Sequence, residues 1–249
     1  MSGHSKWAQI KRQKGANDAR RGQLFTKLGR EITVAARNGG GDPAANFRLR
    51  LAIQKARDNN MPLENIERAI KRATGAIEGA ALEEIVYEGY GPSGAAIMVE
   101  ALTDNRNRTV SEVRSVFTRV GGSLGETGCV SWLFDPKGIV TIDASGKDAD
   151  EVALMAIDAG AEDVRTEDNS VEVYTAPGDL EAVRQALERN GLTISSAEIT
   201  MQPKTTVDLE EKDAIQVLKL MDRLEELDDV QRVHSNVDFS ADVLEKYAG

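Results

Sequence analysis

Apolar residues recur at helical spacing in three segments of the first third of the chain, and turn-forming residues separate the segments. The spacing predicts helices over 19–37, 42–58 and 62–75. Asp42 as N-cap and Pro43 at the first helical position predict where the second helix starts. The apolar stripes of the first and third helices comprise Leu24, Phe25, Leu28, Ile32 and Ala35, and Leu63, Ile66, Ile70 and Ala73.

The pattern changes after residue 81, where short apolar runs alternate with amphipathic segments. Turn signals and alternation predict strands and helices in the order of a mixed α+β chain. The predicted strands are 85–90, 95–102, one near Ser123, 130–134, 139–143, 163–166, 171–175, 196–201 and 230–237. The predicted helices start near Asn107 and cover 148–159, 178–190 and 209–227.

The order of these elements predicts the fold class, which is α+β and multidomain. From residue 138 the order is βαββαβ, the ferredoxin-like split motif. The region before this motif lacks a closing helix and strand, and the C-terminal tail can supply both. We therefore expect an N-terminal helical bundle followed by two α+β domains. The ferredoxin-like domain is expected to be inserted in the other α+β domain. The predicted domains are 1–78, 82–136 together with 204–249, and 137–203.

Charge is divided by sign along the chain. Residues 1–75 contain 16 Lys/Arg and 6 Asp/Glu, a net charge of +10, whereas the remainder contains 15 and 35, a net charge of −20. The whole-chain pI of about 4.9 argues against nucleic-acid binding. The basic segment, however, predicts a polyanion-binding part on an acidic body.

Cysteine content and hydropathy indicate the compartment. Cys129 is the single cysteine, which excludes an internal disulfide framework and is typical of a reducing environment. No apolar run approaches the ~18 residues of a membrane span, and the N-terminus lacks a secretory signal pattern. We therefore expect a cytoplasmic protein.

The candidate nucleic-acid-binding residues lie in a basic, mobile arm and on helix faces turned away from the apolar stripes. An arm that contains one tryptophan suits phosphates and a stacked base, since base–aromatic stacking contributes ~1–3 kcal/mol. A solvated tail is the alternative for the arm alone. The candidates of the arm are His4, Lys6, Trp7, Lys11, Arg12 and Lys14, and those of the helices are Arg20, Lys27, Arg30, Arg68, Lys71 and Arg72.

Arg106 and Arg108 are two further candidates, near the start of the helix predicted around Asn107. The helix dipole disfavours cations at a helix N-terminus, so an anionic partner is one explanation for them. A local ion pair with Asp104 is the alternative, and the sequence does not decide between the two.

The sequence offers little support for catalysis, and we predict no catalytic residue, metal site or cofactor. His4 and His234 are far apart, Cys129 lies in a predicted strand, and zinc-ligand spacing is absent. The glycines at 122, 125 and 128, like those at 39–41, are not followed by Lys-Ser/Thr and are predicted turns. The acidic run 225–229 is interpreted as a solvated helix end rather than a metal site or partner surface.

Two chemical alternatives remain open at this point. Removal of Met1 would place His4 third from a free amine, as in square-planar Cu(II) sites. A metal-dependent nuclease is the enzymatic alternative, although no paired-carboxylate spacing supports it.

Long sequence blocks resemble one known family. They are the run from Gly3 to Gly75 that begins GHSKWAQIKRQKGANDARRGQLFTKLGREI, followed by YEGYGPSGAAIMVEALTDNRNRTVSEVR, GGSLGETGCVSWLFDPKG and LKLMDRLEELDDVQRVHSNVDF. These blocks resemble the YebC/PmpR family over nearly the whole chain. The chain departs from the family pattern at Cys129, His234 and Val237.

The resemblance implies three domains and no known catalytic activity. Family members are customarily called DNA-binding transcriptional regulators, and relatives include a mitochondrial translational activator and bacterial members with an argued ribosome-associated role. The positions implied to touch nucleic acid are His4, Lys6, Trp7, Lys11, Lys14, Arg20, Arg21, Lys27 and Arg30.

Two functional hypotheses follow, a DNA-binding transcription regulator and a ribosome-bound translation factor. The sequence shows no clear helix-turn-helix recognition helix, and the acidic body would repel duplex DNA. Structured RNA, which is recognised by shape and by unstacked bases, suits a basic helical domain with an aromatic arm. The physical argument therefore favours RNA, whereas family usage favours DNA, and the oligomeric state stays unknown.

Overall fold

The computed structural model describes residues 18–75, 81–167 and 170–248, and it describes side chains at 21–75, 81–166 and 170–247. The basic arm and its candidate residues therefore lie outside the described residues. The helices are α1 (Asp18–Gly39), α2 (Phe47–Asp58), α3 (Leu63–Ala73), α4 (Arg106–Arg119), α5 (Ala149–Asp158), α6 (Leu180–Arg189), α7 (Glu211–Glu225) and α8 (Ala241–Ala248). The strands are β1 (Glu83–Tyr90), β2 (Ala96–Thr103), β3 (Ser123–Leu124), β4 (Phe134–Asp143), β5 (Asp163–Glu167), β6 (Ser170–Thr175), β7 (Thr193–Pro203) and β8 (Val230–Ser235).

These elements confirm the predicted α+β fold, with N-terminal helices followed by two α+β regions. The chain divides into two compact units. One unit comprises residues 134–204, and the other contains the helices α1–α3 together with the first sheet and the C-terminal segment. The three-domain division expected from the sequence stays a prediction.

The helices α1, α2 and α3 pack around a small apolar core. Leu28, Ile32, Leu49, Ile53 and Ile66 are buried within it. Leu28, Ile32 and Ile66 follow the stripes predicted for the first and third helices, and α1 contacts both other helices.

The stripe prediction is wrong for the outermost leucine of α1 and of α3. Leu24 and Leu63 are exposed. The buried core begins about one helical turn further in, at Leu28 on α1 and at Ile66 on α3. Helical periodicity indicates on which face of a helix a residue lies. It does not indicate whether a neighbouring helix extends far enough to cover that residue.

The predicted start of the second helix at Asp42 is also wrong, because Asn46 is the N-cap. The Asn46 Oδ1 atom accepts a hydrogen bond from the Leu49 N–H at 3.0 Å. Its Nδ2 atom donates to the carbonyls of Ala35 and Gly40, both at 2.8 Å. An amide carries a donor and an acceptor, so one buried side chain caps α2 and satisfies carbonyls at the end of α1. A carboxylate at this position has no donor for those carbonyls.

The first sheet has the strand order β3-β1-β2-β8, with every pair antiparallel. The helices α4, α7 and α8 supply the apolar side chains that cover one of its faces, among them Phe117, Leu218, Met221 and Leu244. The C-terminal segment thus contributes strand β8 next to β2. Helix α8 was not predicted from the sequence.

The predicted strand at 130–134 is wrong. Ser131–Leu133 forms a single 3₁₀ turn, and the strand begins at Phe134. The cause is Glu88, whose buried carboxylate accepts backbone N–H groups from Gly128 at 2.8 Å, Val130 at 2.8 Å and Ser131 at 2.7 Å. These N–H groups cannot also join a strand ladder.

Residues 134–204 form the ferredoxin-like unit, as the element order predicts. The sheet order is β5-β6-β4-β7, and all three pairings are antiparallel. The helices α5 and α6 bury Val152, Ala156, Val183 and Leu187. Among the residues that the structure describes, no helix has the length and apolar character needed to cross a bilayer.

The cap at Asn46 generates a stability prediction. Asn46→Ala should lower the free energy of unfolding by about 2–3 kcal/mol, because it removes a helix cap and leaves buried carbonyls without a donor. Asp42→Ala is the matched control. The side chain of Asp42 accepts one hydrogen bond, from the Ala44 N–H, in the turn that precedes α2. Urea denaturation measures both variants, and an equal or larger cost for Asp42→Ala would contradict the assignment of the cap.

Candidate nucleic-acid interface

Eight of the predicted binding residues have described side chains. The side chains of His4, Lys6, Trp7, Lys11, Arg12, Lys14 and Arg20 lie outside the described part, as does the Cu(II) alternative at His4. The described candidates are Arg21, Lys27, Arg30, Arg68, Lys71, Arg72, Arg106 and Arg108. The structure does not bring these eight together on one surface, because some point to solvent and others are used inside the protein.

The outward group lies on helix α3 and consists of Arg68, Lys71 and Arg72, which we call the α3 basic face. All three side chains are exposed, whereas Ile66 and Ala69 on the same helix are buried. Within the described part of the chain neither arginine has an ion-pair partner, and Lys71 Nζ lies 3.9 Å from the Glu67 carboxylate. The α3 basic face therefore presents its positive charge to solvent.

Two other exposed arginines belong to the same helical region. Arg57, in the last turn of α2, is exposed and has no ion pair with any described residue. It is not among the candidates that the sequence predicts. Arg21 is exposed near the start of α1, and its guanidinium lies 5.9 Å from the centre of the Phe25 ring.

Lys27 and Arg30 form the inward group on α1. Lys27 Nζ donates a hydrogen bond to the backbone carbonyl of Glu225, the last residue of α7. Arg30 Nη1 donates to the Asp228 carbonyl at 2.7 Å and to Asp229 Oδ1 at 2.6 Å. Cations at this place satisfy open carbonyls and interact favourably with the negative end of the helix dipole. The two side chains are thus already engaged within the protein.

Asp229 is the centre of this contact. It is 2% exposed, and its second oxygen, Oδ2, accepts hydrogen bonds from Thr109 at 2.6 Å, Arg108 at 2.6 Å and Thr103 at 3.0 Å. Burial raises the pKa of Asp229, but the hydrogen bonds from Thr109, Arg108, Arg30 and Thr103 outweigh it and lower the pKa below its ordinary value. The interpretation of 225–229 as a solvated helix end is therefore wrong for Asp229.

The environment of Arg108 favours the local explanation that the sequence left open. Arg108 Nη2 lies 2.9 Å from Asp104 Oδ1 as well as 2.6 Å from Asp229 Oδ2. Arg106 is exposed, and its Nε atom lies 3.7 Å from Glu83 Oε2. Whether either arginine also contacts nucleic acid stays a prediction.

A second ionic group joins the helices to the first sheet. Lys55 Nζ lies 3.2 Å from Glu31 Oε2, and Arg232 Nη2 lies 3.5 Å from Glu31 Oε1. Burial raises the pKa of Glu31, but the charges of Lys55 and Arg232 outweigh it and lower the pKa to about 2. Arg48 pairs with Glu84 on β1 at 2.8 Å.

The glycine-rich turn at 122–128 is not a vacant phosphate cradle. The N–H groups of Gly128, Val130 and Ser131 already bind the Glu88 carboxylate. Burial raises the pKa of Glu88, but the hydrogen bonds from these N–H groups outweigh burial and lower the pKa below its ordinary value. A carboxylate of the same protein thus engages these three N–H groups.

The surroundings of Cys129 and His234 do not favour a catalytic or metal-binding role. Burial and the nearby Glu88 charge raise the pKa of the Cys129 thiol, which disfavours the nucleophilic thiolate. His234 is buried with Nε2 3.1 Å from Glu100 Oε1. No group of three His, Cys, Asp or Glu side chains is arranged to hold a metal ion in the ranges that the structure covers.

Known proteins match the chain over almost its full length. A family model described as the TACO1/YebC protein N-terminal domain matches residues 5–76, and one described as the TACO1/YebC second and third domain matches residues 82–237. A probable transcriptional regulatory protein of Dehalococcoides mccartyi is 61% identical over 247 residues, which are 99% of this chain and 98% of that protein. Another, from Trichlorobacter lovleyi, is 60% identical over 246 residues, or 99% of each chain.

A solved structure has the same fold. The crystal structure of a conserved hypothetical protein from Aquifex aeolicus superposes with a TM-score of 0.82 at 51% sequence identity. The match covers 90% of this chain and 92% of the Aquifex chain.

The Asp229 contact predicts a large stability effect for a small chemical change. Asp229→Asn should lower the free energy of unfolding by about 3 kcal/mol, because two arginines lose the buried anion that they share. Asp104→Asn removes only the exposed partner of Arg108 and should cost less than about 1 kcal/mol. Urea denaturation at neutral pH measures both, and similar costs would contradict the central role of Asp229.

The low pKa of Glu31 predicts a pH dependence. Because the folded pKa of about 2 lies below the ordinary value of 4.5, ionised Glu31 stabilises the protein above pH 4.5 and loses this effect as the pH falls toward 2. The stability difference between wild type and Glu31→Gln should therefore shrink over this window by roughly 2 kcal/mol. Denaturation at several pH values measures it, and a constant difference would show that Glu31 is not held ionised.

Proposed function

This chain belongs to the TACO1/YebC family, and from that premise we propose that it is a non-enzymatic cytoplasmic regulator of gene expression that binds nucleic acid through its basic N-terminal region. We further propose that its target is structured RNA in the context of translation, with the ribosome as the partner. The α3 basic face is the observation that carries this proposal.

The α3 basic face has no evident role in folding. Arg68 lies three residues before Lys71 and four before Arg72, a spacing at which like charges destabilise a helix by about 0.2–0.5 kcal/mol per pair, and of the three cations Lys71 has a carboxylate nearby, that of Glu67 at 3.9 Å. The contrast with Lys27 and Arg30 is direct, because those cations hold the C-terminal end of α7. A polyanionic partner would offset the repulsion on α3 and gain affinity from counterion release.

The residues at the start of α3 argue for RNA over a sequence-specific DNA contact. In a helix-turn-helix protein the N-terminal residues of the second helix contact base edges in the major groove. Here the exposed side chains at that end are Leu63, Glu64 and Glu67, and the cations lie in the later turns. Carboxylates there would face the phosphate-lined groove, whereas recognition of RNA by shape needs only the cationic part.

A DNA-binding transcription regulator is the second candidate. Helices α2 and α3 are joined by the four-residue turn 59–62, a connection of helix-turn-helix length. The names of the curated relatives also favour transcription. Protection of a defined promoter sequence that unrelated duplexes do not compete away would support this candidate against the first.

The α3 basic face generates a binding prediction with a matched control. The full-length variant Arg68→Gln/Lys71→Gln/Arg72→Gln should bind purified ribosomes more weakly than wild type. Its salt slope should be smaller by about 3, or roughly one per lost phosphate contact. The control, Arg114→Gln/Arg119→Gln/Lys219→Gln, removes the same charge from exposed positions of the acidic body and should keep the wild-type slope.

Co-sedimentation at 50–200 mM salt supplies the measurement, with a promoter-length DNA duplex as the second ligand. If 6–10 cations contact phosphates, wild-type affinity should fall about 10³–10⁵-fold across this range. A flat salt response, or equal losses in the two triple variants, would overturn the proposed interface. Tighter, sequence-dependent binding to the duplex would favour the transcription regulator.

A further inference from the structure

Helix α5 of the ferredoxin-like unit exposes three large apolar side chains to solvent. The side chains of Leu154, Ile157 and Met155 are 63%, 57% and 36% exposed. On the opposite side, Val152 and Ala156 are buried where α5 packs on β5 and β6. The helix thus buries apolar residues toward its own sheet and also exposes apolar residues, with Leu154 and Ile157 one turn apart and Met155 to one side of them.

Helix α6 of the same unit shows that the fold does not require exposed apolar residues on a helix. The solvent side of α6 carries charged and polar residues that bond one another, with Arg184 placed between Glu181 at 2.8 Å and Glu188 at 2.5 Å. Exposed apolar side chains that cluster within a polar rim are typical of protein-binding surfaces. The face of α5 is thus a feature of this helix rather than of the architecture.

Acidic residues lie among the exposed apolar side chains of α5. Asp150, Glu151 and Asp158 are exposed, and none of them has an ion pair with a described residue. The helix dipole explains the two carboxylates in the first turn. It disfavours Asp158 in the last turn, where α5 carries no basic residue. Residues 134–204 contain 15 Asp/Glu and 6 Lys/Arg, a net charge of −9.

We propose that Leu154, Met155 and Ile157 form a docking surface, the α5 face, for a basic protein segment that carries an apolar anchor residue. Its carboxylates complement a cationic partner, and its apolar side chains provide a site for the anchor. The same charge opposes nucleic acid, an anionic bilayer and the identical face of a second copy. The inference rests on the proposed function in that the partner is expected among the basic proteins of the ribosome.

Site-specific crosslinking in the full-length protein tests the α5 face. A photoreactive amino acid replaces Met155, and the control carries it at Gln185 on the solvent side of α6. The probes are intact ribosomes and the ribosomal proteins extracted free of RNA. The expected result is a crosslink from position 155 to a basic protein in both probes, and none from position 185.

Variants of the neighbouring residues show whether the crosslink depends on the α5 face. Leu154→Ser/Ile157→Ser should reduce it at least 10-fold, and Asp150→Asn/Asp158→Asn should reduce it and weaken its salt dependence. The matched control Gln185→Ser/Glu188→Ser should leave it unchanged. Far-UV circular dichroism verifies that each variant is folded, as expected for exposed positions.

The two probes separate this inference from the proposed function. Co-sedimentation with ribosomes without a crosslink from position 155 in either probe overturns the α5 face and leaves the proposed function standing. A crosslink to RNA-free ribosomal protein without ribosome binding supports the α5 face and contradicts the proposed function. A crosslink to rRNA, to a second copy, or one that survives Leu154→Ser/Ile157→Ser also overturns the inference.

Discussion

The buried carboxylate of Asp229 is the constraint on which the arrangement of the N-terminal helices depends. An ionised carboxylate is stable inside a protein only when donors satisfy its oxygens. Here the donors come from α1, from the end of β2 and from the first turn of α4. Helix α1 cannot leave the first sheet without exposing this charge or depriving it of Arg30. One side chain near the C-terminus therefore fixes the position of the first described helix.

The cations of the N-terminal region are of two kinds, those engaged in contacts such as the one at Asp229 and those exposed to solvent. Cations such as Lys27 and Arg30 neutralise carbonyls and carboxylates of the same protein, so they contribute to folding. Among the described residues the α3 basic face has a single ion pair, that of Lys71 with Glu67 on the same helix, and its cations remain at the surface. Net charge along the sequence therefore overstates the charge available to a partner. The distinction matters because only the exposed cations release counterions on binding.

Periodicity predicts most of the helices and the ferredoxin-like order of elements, and composition predicts the sign of charge on each region. All three depend on residues that are close together in the sequence. It fails where a distant residue decides. Glu88 converts the predicted strand at 130–134 into a turn, and Asn46 displaces Asp42 as a cap because it also reaches the end of α1. The pairing of Arg30 joins positions 199 residues apart. No local pattern distinguishes Arg30 from Arg68, so the sequence predicts the basic region but not its exposed subset.

The position of Asp229 near the end of the chain has a consequence for synthesis. Chains grow from the N-terminus at about 5–20 residues per second, so Arg30 leaves the ribosome roughly 10–40 s before its partner does. Strand β8, which completes the first sheet, is also made after the other strands of that sheet. During this interval Lys27 and Arg30 lack the partners at 225–229 that engage them in the folded protein. The order of translation thus gives the nascent protein a stronger basic character than the finished one.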